Sequence, residues 1–364
     1  MYGFCVVIDC YFTYYARQLL SVCASMNFST FTEQFGLYFD GYIQDRVDQT
    51  IDTYGDGLIP SLEYLYDYNQ GGKALRPYMV YLWYKLCGGQ DDVYQMMSIG
   101  VINELIHTRA LIHDDIADQG LIRRHRPTYH IQLRQVYDDD HVGDSQAMLV
   151  GDLAYSWAVS ETVQIENTAA RTIISDMIEK VIIGEILDIH YSYIDGEMDA
   201  MTIATKDDLK SGQYTFAAPM MLGATLAGAT DEQVAAISEI GTIIGVAFQM
   251  RDDLLDWLPA DDGKTKFSDI QEGNQTIVWS YLLAHASADE REHLLALRRK
   301  KLTKSDRERL HELVTIHELI QHIGSQINTD LQKARTLIEQ GSWDAEYVTY
   351  MTELLDFLAI DHKK

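Results

Sequence analysis

Only five prolines interrupt 364 residues, and the apolar side chains between them recur at the three-and-four spacing of a helix face far more often than they alternate. Each proline inside a helix removes a backbone donor and clashes with the preceding turn, so a chain this sparing with proline can run long helices. The expectation is an all-α fold: a succession of helices from about Phe28 onward, joined by short loops and without a linker. Pro219 lies inside an otherwise helical stretch, Asp207 to Leu226, which it should kink or end. Pro127, Pro259 and the polar run Asp261 to Asn274 mark loops. The last third, from Ala284 onward, is charged, amphipathic and without a chemical motif, and reads as packing and surface.

Two of the helical stretches end in the same device. From Met96 to Asp118, residues Ile102, Leu105, Ile106, Ile112 and Ile116 share one face, and the stretch closes on DDIAD. From Gln233 to Trp257, the face is Ile240, Ile243, Ile244 and Ala247, and the close is DDLLD. Asp114 and Asp118 are four apart, so they project from one helix face with Asp115 beside them, and Asp252, Asp253 and Asp256 repeat the arrangement. Like charges at that spacing repel by some tenths of a kcal/mol each, which a bound cation offsets. Mg²⁺ suits such a site, taking one or two carboxylates and completing its shell with water and substrate phosphate. One such triplet alone is weak, since acidic helices carry them on solvated faces. Two at the ends of strongly apolar helices point to metal.

Basic residues fall near these clusters in a chain that has few to spare, with 29 Lys and Arg against 55 Asp and Glu and a net charge of −26. GGKALRP places Lys73 and Arg76 three apart behind two glycines, and Arg123 and Arg124 follow DDIAD closely. Any one of these is ordinary surface charge; clustered, they suggest a second, metal-free polyanion site. His107, two helical turns before Asp114, is either simply packed or aimed into the same cavity. Lys210 in KSGQYTF and Gln249 in FQMRDD can reach a phosphate or equally cap or solvate.

The same net charge argues against a sequence-independent grip on nucleic acid or anionic lipid. No apolar run approaches the roughly 20 residues that span a bilayer, so no stable membrane insertion is expected. Cys5, Cys10, Cys23 and Cys87 form no Cys-x-x-Cys pair and no zinc pattern, which fits a reducing cytoplasm. Residues 1–25 hold three of these cysteines and no Lys, and Asp9 interrupts what would be the apolar centre of an export signal. They read as an N-terminal extension, either an extra helix or the product of a start placed too early, with Met26 as the natural first residue.

The motifs GGKALRP, LIHDDIAD, RRHRPT, GDLA, KSGQYTF, FQMRDDLLD and GKTKFSDIQEG, in this order over about residues 40 to 280, resemble the trans-isoprenyl diphosphate synthases, or polyprenyl synthetases, of the farnesyl and geranylgeranyl type. The resemblance implies one domain over residues 26–364, a bundle of ten or more helices around a deep cavity, and a homodimer. It implies a prenyltransferase that condenses isopentenyl diphosphate with an allylic diphosphate, with a C15 to C20 product and three Mg²⁺ per active site when substrate is bound. Carried over by position, Asp114, Asp115, Asp118, Asp252, Asp253 and Asp256 would hold metal, with Lys210 also catalytic. Lys73, Arg76, His107 and Arg124 would hold isopentenyl diphosphate; Arg123, Lys210, Ser211, Gln249 and Lys264 would hold the allylic diphosphate. Arg109 and Ala110 would bear on product length.

Several positions depart from the family pattern. Asn274 stands where a second Lys is frequent, Ser211 where Thr is usual, and Glu185 where Gln is frequent. Arg109 occupies a region where small or aromatic residues are commoner. The nearest rival is a class I terpene cyclase, which shares the ionisation chemistry but has no site for a second diphosphate; Lys73, Arg76 and Arg124 argue against it. A catalytically silent partner subunit would be expected to have lost an Asp from one cluster, and none is lost. A purely structural Mg²⁺- or Ca²⁺-binding bundle gives no reason for GGKALRP.

Overall fold

A computed structural model describes residues 26–90, 93–258 and 266–360. The expectations for residues 1–25, Pro259 and Lys264 lie outside these residues. The described chain is helical apart from one two-stranded ladder, as its sparse proline and helical periodicity predict, and it packs as two compact units.

The first unit comprises residues up to Arg171 with Leu222–Ala229. Its α1 (Phe28–Tyr54) starts where the Asn27 side chain accepts from the Thr30 N–H, satisfying one of the donors a helix start leaves open. Phe31, Phe35, Phe39 and Tyr42 line its buried face, and Phe31 meets Tyr78 and Tyr81 ring to ring. Two short helices, α2 (Ile59–Leu62) and α3 (Leu65–Asn69), lead to α4 (Leu75–Leu86), in which every residue from Pro77 to Tyr84 is buried. A helix apolar all round belongs in a core, and each such large side chain contributes roughly 1.5–3 kcal/mol on burial. Then come α5 (Val93–Ala117), the ladder β1 (Ile122–Arg123) and β2 (Arg126–Pro127), α6 (Tyr129–Tyr137) and α7 (Asp140–Thr162). Helix α5 packs against α4 and α7.

The second unit comprises Thr172–Met221 and residues from Thr230 onward. Helix α8 (Thr168–Tyr193) leads into it, followed by α9 (Ala200–Asp207), a π-helical segment (Asp208–Ala217) and the start of α10 (Ala218–Leu226), whose residues from Leu222 on belong to the first unit. Pro219 is the second residue of α10, so it does not end the helical stretch; the ladder instead changes from π to α register beside it, where the proline withholds its N–H. The Ala218 N–H reaches back five residues to the Gln213 carbonyl, the signature of the wider helix.

Helix α11 (Asp231–Trp257) opens with a Thr230–Gln233 capping box and packs its apolar face against the π-helical segment. The two backbones touch: a Cβ added at Gly245 would come within 2.5 Å of the Gly212 Cα. By length and composition α11 is the one helix among the described residues able to cross a bilayer, but its buried face and its packing account for that apolarity. Helices α12 (Ser268–Glu272), α13 (Ile277–His285), α14 (Ala288–Leu297), α15 (Lys304–Ile316), α16 (Leu319–Gln340) and α17 (Ala345–Leu358) complete the unit. The polar run expected as a loop therefore contains α12.

Candidate active site

In the first unit, α5 delivers Asp114 and Asp115 in its last turn, and Asp118 follows with its N–H on the Asp114 carbonyl at 2.8 Å. A helix C-terminus is the negative end of the peptide dipoles, so carboxylates gathered there need cations. The β1–β2 hairpin supplies one. Arg123 Nε donates to both Asp115 oxygens at 2.8 and 2.9 Å, and its Nη2 donates to Asp114 at 3.0 Å. The Tyr68 hydroxyl donates to the same Asp115 carboxylate at 2.9 Å. Burial works against the Arg123 charge, but the Asp115 hydrogen bonds and the two carboxylate charges outweigh it and hold the guanidinium pKa above its ordinary value.

Arg124 and His125 form the two-residue turn of this hairpin, both with positive φ, 50° and 63°. Such turns match the twist of paired strands but normally use Gly or Asn. The turn aims the neighbouring guanidiniums back at α3: Arg124 Nη1 donates to the Gln70 carbonyl at 3.1 Å and Arg126 Nη1 to the Asp67 carbonyl at 3.0 Å. A cavity of about 700 Å³ opens beside them, lined by Tyr68, Gln70, Gly71, Arg123, Arg124 and Arg126 among others. His107 lies within the field of Arg76, Arg124 and Arg123; burial first, then these three cations, push its pKa well below the histidine range, so the ring is neutral at pH 7. Burial raises the Glu104 carboxyl, and the charges of Arg76 and Arg124 pull against that. The structure thus brings Arg76, His107, Arg123 and Arg124 together, with Lys73 exposed on the turn before α4 and its carbonyl accepting from Thr32 Oγ1 at 3.1 Å.

Arg109 and Ala110 separate here. Helix geometry places Ala110 one turn below Asp114 on the same face, whereas Arg109 is rotated well away from it. The Arg109 charge acts on His113, whose Nε2 meets the Met148 carbonyl of α7 at 3.0 Å.

In the second unit, the same triplet is held differently. Asp252 is exposed, whereas Asp253 is buried, with one oxygen accepting from Gln249 Nε2 at 2.8 Å. Burial, with the Asp207 charge second, raises the Asp253 carboxyl well above the usual range. Asp256 braces the chain beyond α11, accepting from Ser268 Oγ at 3.0 Å and the Asp269 N–H at 3.2 Å. Lys210 Nζ lies 2.6 Å from Asp188 and 3.1 Å from Glu185, so the Glu found where Gln is frequent serves as a lysine partner. Gly184 makes this possible, since a Cβ there would come within 2.2 Å of the Lys210 backbone nitrogen. Ser211 is buried in the π-helical segment. Asn274 donates to Glu272 at 3.1 Å.

Sequence reasoning missed Lys206 and Asp188. Lys206 is 4 % exposed, with Nζ 2.7 Å from Asp188 and 2.8 Å from Asp207. No local signal marked the pair, since Lys206 stands in the charged run TKDDLK and Asp188 lies 18 residues before it. Cys87 has a free thiol that burial pushes up to about 11; the other three cysteines lie outside the described residues.

Among the described residues, no three carboxylate, imidazole or thiol groups converge into a ready-made metal cage. The donor chemistry suits a hard cation: buried carboxylate oxygens of Asp207 and Asp253 have no hydrogen-bond partner, and the exposed Asp252 stands beside Asp253.

The sequence matches the polyprenyl synthetase family over residues 59–316, more than half of the chain. The chain belongs to that family. Members similar to it include a geranylgeranyl diphosphate synthase of Sulfolobus acidocaldarius, 35 % identical over 292 residues, 74 % of this chain and 82 % of the relative. A nonaprenyl diphosphate synthase of Mycobacterium tuberculosis is 30 % identical over 249 residues, 67 % of this chain and 70 % of the relative. The fold is similar to that of the Corynebacterium glutamicum geranylgeranyl pyrophosphate synthase solved with isoprenyl diphosphate and magnesium, with TM-score 0.83 and 24 % identity, covering 90 % of this chain and 98 % of the other. As a polyprenyl synthetase, the chain is a prenyltransferase, and the all-α fold expected from its sequence is the one observed.

Proposed function

We propose that this prenyltransferase condenses isopentenyl diphosphate with an allylic diphosphate to give a trans-isoprenyl diphosphate of C15 to C20, with Mg²⁺ required. The observation that carries this reading is the convergence of Arg76, Arg124 and Arg123 on a neutral His107, on the helix that ends in Asp114 and Asp115. One helix therefore presents a cationic site that needs no metal and a carboxylate site that suits one, which is what two diphosphates require. A class I terpene cyclase would have no use for the first.

Lys73, Arg76, His107 and Arg124 would grip isopentenyl diphosphate, the guanidiniums by paired donors and the imidazole by its single N–H. Lys210 and Ser211 would donate to the allylic diphosphate, with Arg123, Gln249 and Lys264 in support. Arg123 and Gln249 also orient Asp114, Asp115 and Asp253. Asp114, Asp118 and Asp252 would be the main metal ligands; Asp115, Asp253 and Asp256 are held by protein donors and would support them. Bound Mg²⁺, three ions on the family pattern, would supply neutralisation of the developing diphosphate charge. The allylic C–O bond breaks with its electron pair leaving on diphosphate. The C=C of isopentenyl diphosphate then bonds to the allylic carbon, and the proton lost goes to the departing diphosphate.

For product length, Ala110 leaves the α5 face below Asp114 open, and the 35 % identical relative is a geranylgeranyl diphosphate synthase, which supports the C20 end. Ala110→Phe should shorten the product by at least one five-carbon unit, and Arg109→Ala should leave it unchanged. Exposed apolar residues on α7 (Met148, Leu149, Val159) and on α8 (Ile183, Ile186, Ile189) support a homodimer. Leu149→Glu should shift the mass measured by light scattering toward the monomer. The cysteine pattern supports a cytoplasmic setting.

The test is incubation with Mg²⁺, labelled isopentenyl diphosphate and, in turn, C5, C10 and C15 allylic diphosphates, followed by sizing of the dephosphorylated products. One defined length supports the synthase and fixes it. No extension with any acceptor, alongside Mg²⁺-dependent diphosphate binding, would favour the cyclase or the silent subunit.

A further inference from the structure

Lys206 sits in the last turn of α9 with 4 % exposure, in a place where an apolar side chain would satisfy packing. Its ammonium is 2.7 Å from Asp188 Oδ1, 2.8 Å from Asp207 Oδ1 and 3.4 Å from the Gln275 carbonyl. The second Asp188 oxygen is 2.6 Å from Lys210 Nζ, which also faces Glu185 at 3.1 Å. Asp188 is thus a bridge with one oxygen on each lysine. Burying an ion costs several kcal/mol unless partners compensate it, so a buried lysine with this geometry needs a reason beyond stability.

The charges supply one. Without Lys206, Lys210 would face two carboxylates unaided and its single positive charge would be more than consumed by them. With Lys206 in place, the Asp188 charge is shared between two cations, and less of it falls on Lys210. Lys206 is itself too buried to reach a substrate. We propose that Lys206 is a positioning residue that acts through Asp188 to keep Lys210 available to the allylic diphosphate. This rests on the reading of Lys210 as an allylic diphosphate ligand.

Steady-state kinetics of Lys206→Met, Lys206→Arg, Lys210→Gln and the double variant Lys206→Met/Asp188→Asn test it on the full chain. A charge-assisted contact of this kind is worth roughly tenfold or more in affinity. Lys206→Met should therefore raise the KM for the allylic diphosphate about tenfold, leave that for isopentenyl diphosphate near wild type, and be rescued by Lys206→Arg. The double variant removes the Lys206–Asp188 contact together with the Asp188 charge that holds Lys210, and should return the allylic KM toward wild type. It also decides the matter if the single Met variant fails to fold. A double variant that keeps the raised KM, or a folded Lys206→Met with unchanged allylic KM while Lys210→Gln raises it, overturns the positioning role. An unchanged allylic KM in Lys210→Gln overturns instead the reading on which it rests.

Discussion

At the end of α5, Asp114 and Asp115 are clamped by a guanidinium eight and nine residues further along the chain, with a tyrosine hydroxyl on Asp115, whereas at the end of α11 no arginine among the described residues pairs with Asp252 or Asp253. There, Asp252 is left exposed, Asp253 is buried on a glutamine amide and Asp256 is spent on the chain that follows. Two lysines of the second unit, Lys206 and Lys210, are engaged by Asp188 of α8. The same three aspartates at the same spacing therefore have two electrostatic designs. In the first, a protein cation carries the standing charge of the cluster; in the second, burial raises the Asp253 carboxyl and Asp252 stands exposed beside it.

The largest effect expected from breaking this contrast is catalytic. Asp114→Ala and Asp252→Ala should each lower kcat by roughly 10²-fold or more, the scale of losing a group that stabilises developing charge. Wild-type turnover in either would remove that cluster from the chemistry. Stability should then separate the two clusters. Asp115→Ala leaves Arg123 without its main partner and should cost about 3 kcal/mol, whereas Asp252→Ala, at an exposed position, should stay within about 0.5 kcal/mol. Equal unfolding midpoints in urea would mean that the clamp contributes nothing to the fold.

A smaller effect is expected at Asp256. Asp256→Asn weakens two hydrogen bonds to Ser268 and Asp269 and should cost about 1 kcal/mol. Its signature is faster amide exchange in Ser268–Glu272, and unchanged exchange there would detach Asp256 from that segment.

The smallest effect concerns pH. Folded His107 holds its proton less tightly than the unfolded chain does, so the unfolded state binds more protons and stability rises with pH. That contribution is fully present above the ordinary histidine value of about 6.5 and is lost as pH falls from there toward the depressed folded value. His107→Phe should flatten this part of a stability profile taken between pH 7 and pH 5. An imidazole signal of His107 titrating near 6.5 in the folded protein would contradict the arginine environment described for it.

What the sequence disclosed follows the strength of local signals. Helical periodicity placed the two motif helices at Met96–Asp118 and Gln233–Trp257, against Val93–Ala117 and Asp231–Trp257 in the structure. The grouping of Arg76, His107 and Arg124 was legible through motif order. The hairpin was not, because RRHRP lacks the Gly or Asn that announces a two-residue turn. Nor was the pairing of Lys206 and Lys210 with Asp188, which joins residues 18 and 22 apart through a backbone approach that only Gly184 permits. The partners of Gln249 and Asp256 likewise depend on which side of α11 is covered, and a list of motifs does not contain that.

The left-handed turn at Arg124 and His125 has a consequence for anyone seeking a sturdier version of this enzyme. A side chain in that conformation costs roughly 1–2 kcal/mol relative to the right-handed one, and His125 is exposed. Glycine at His125 would relieve that strain without touching a guanidinium, whereas the same exchange at Arg124 would remove the guanidinium that donates to the Gln70 carbonyl. Two adjacent residues with the same backbone thus stand as opposite cases for engineering: one a reserve of thermal tolerance, the other a position at which backbone relief is set against the loss of a contact to the segment after α3.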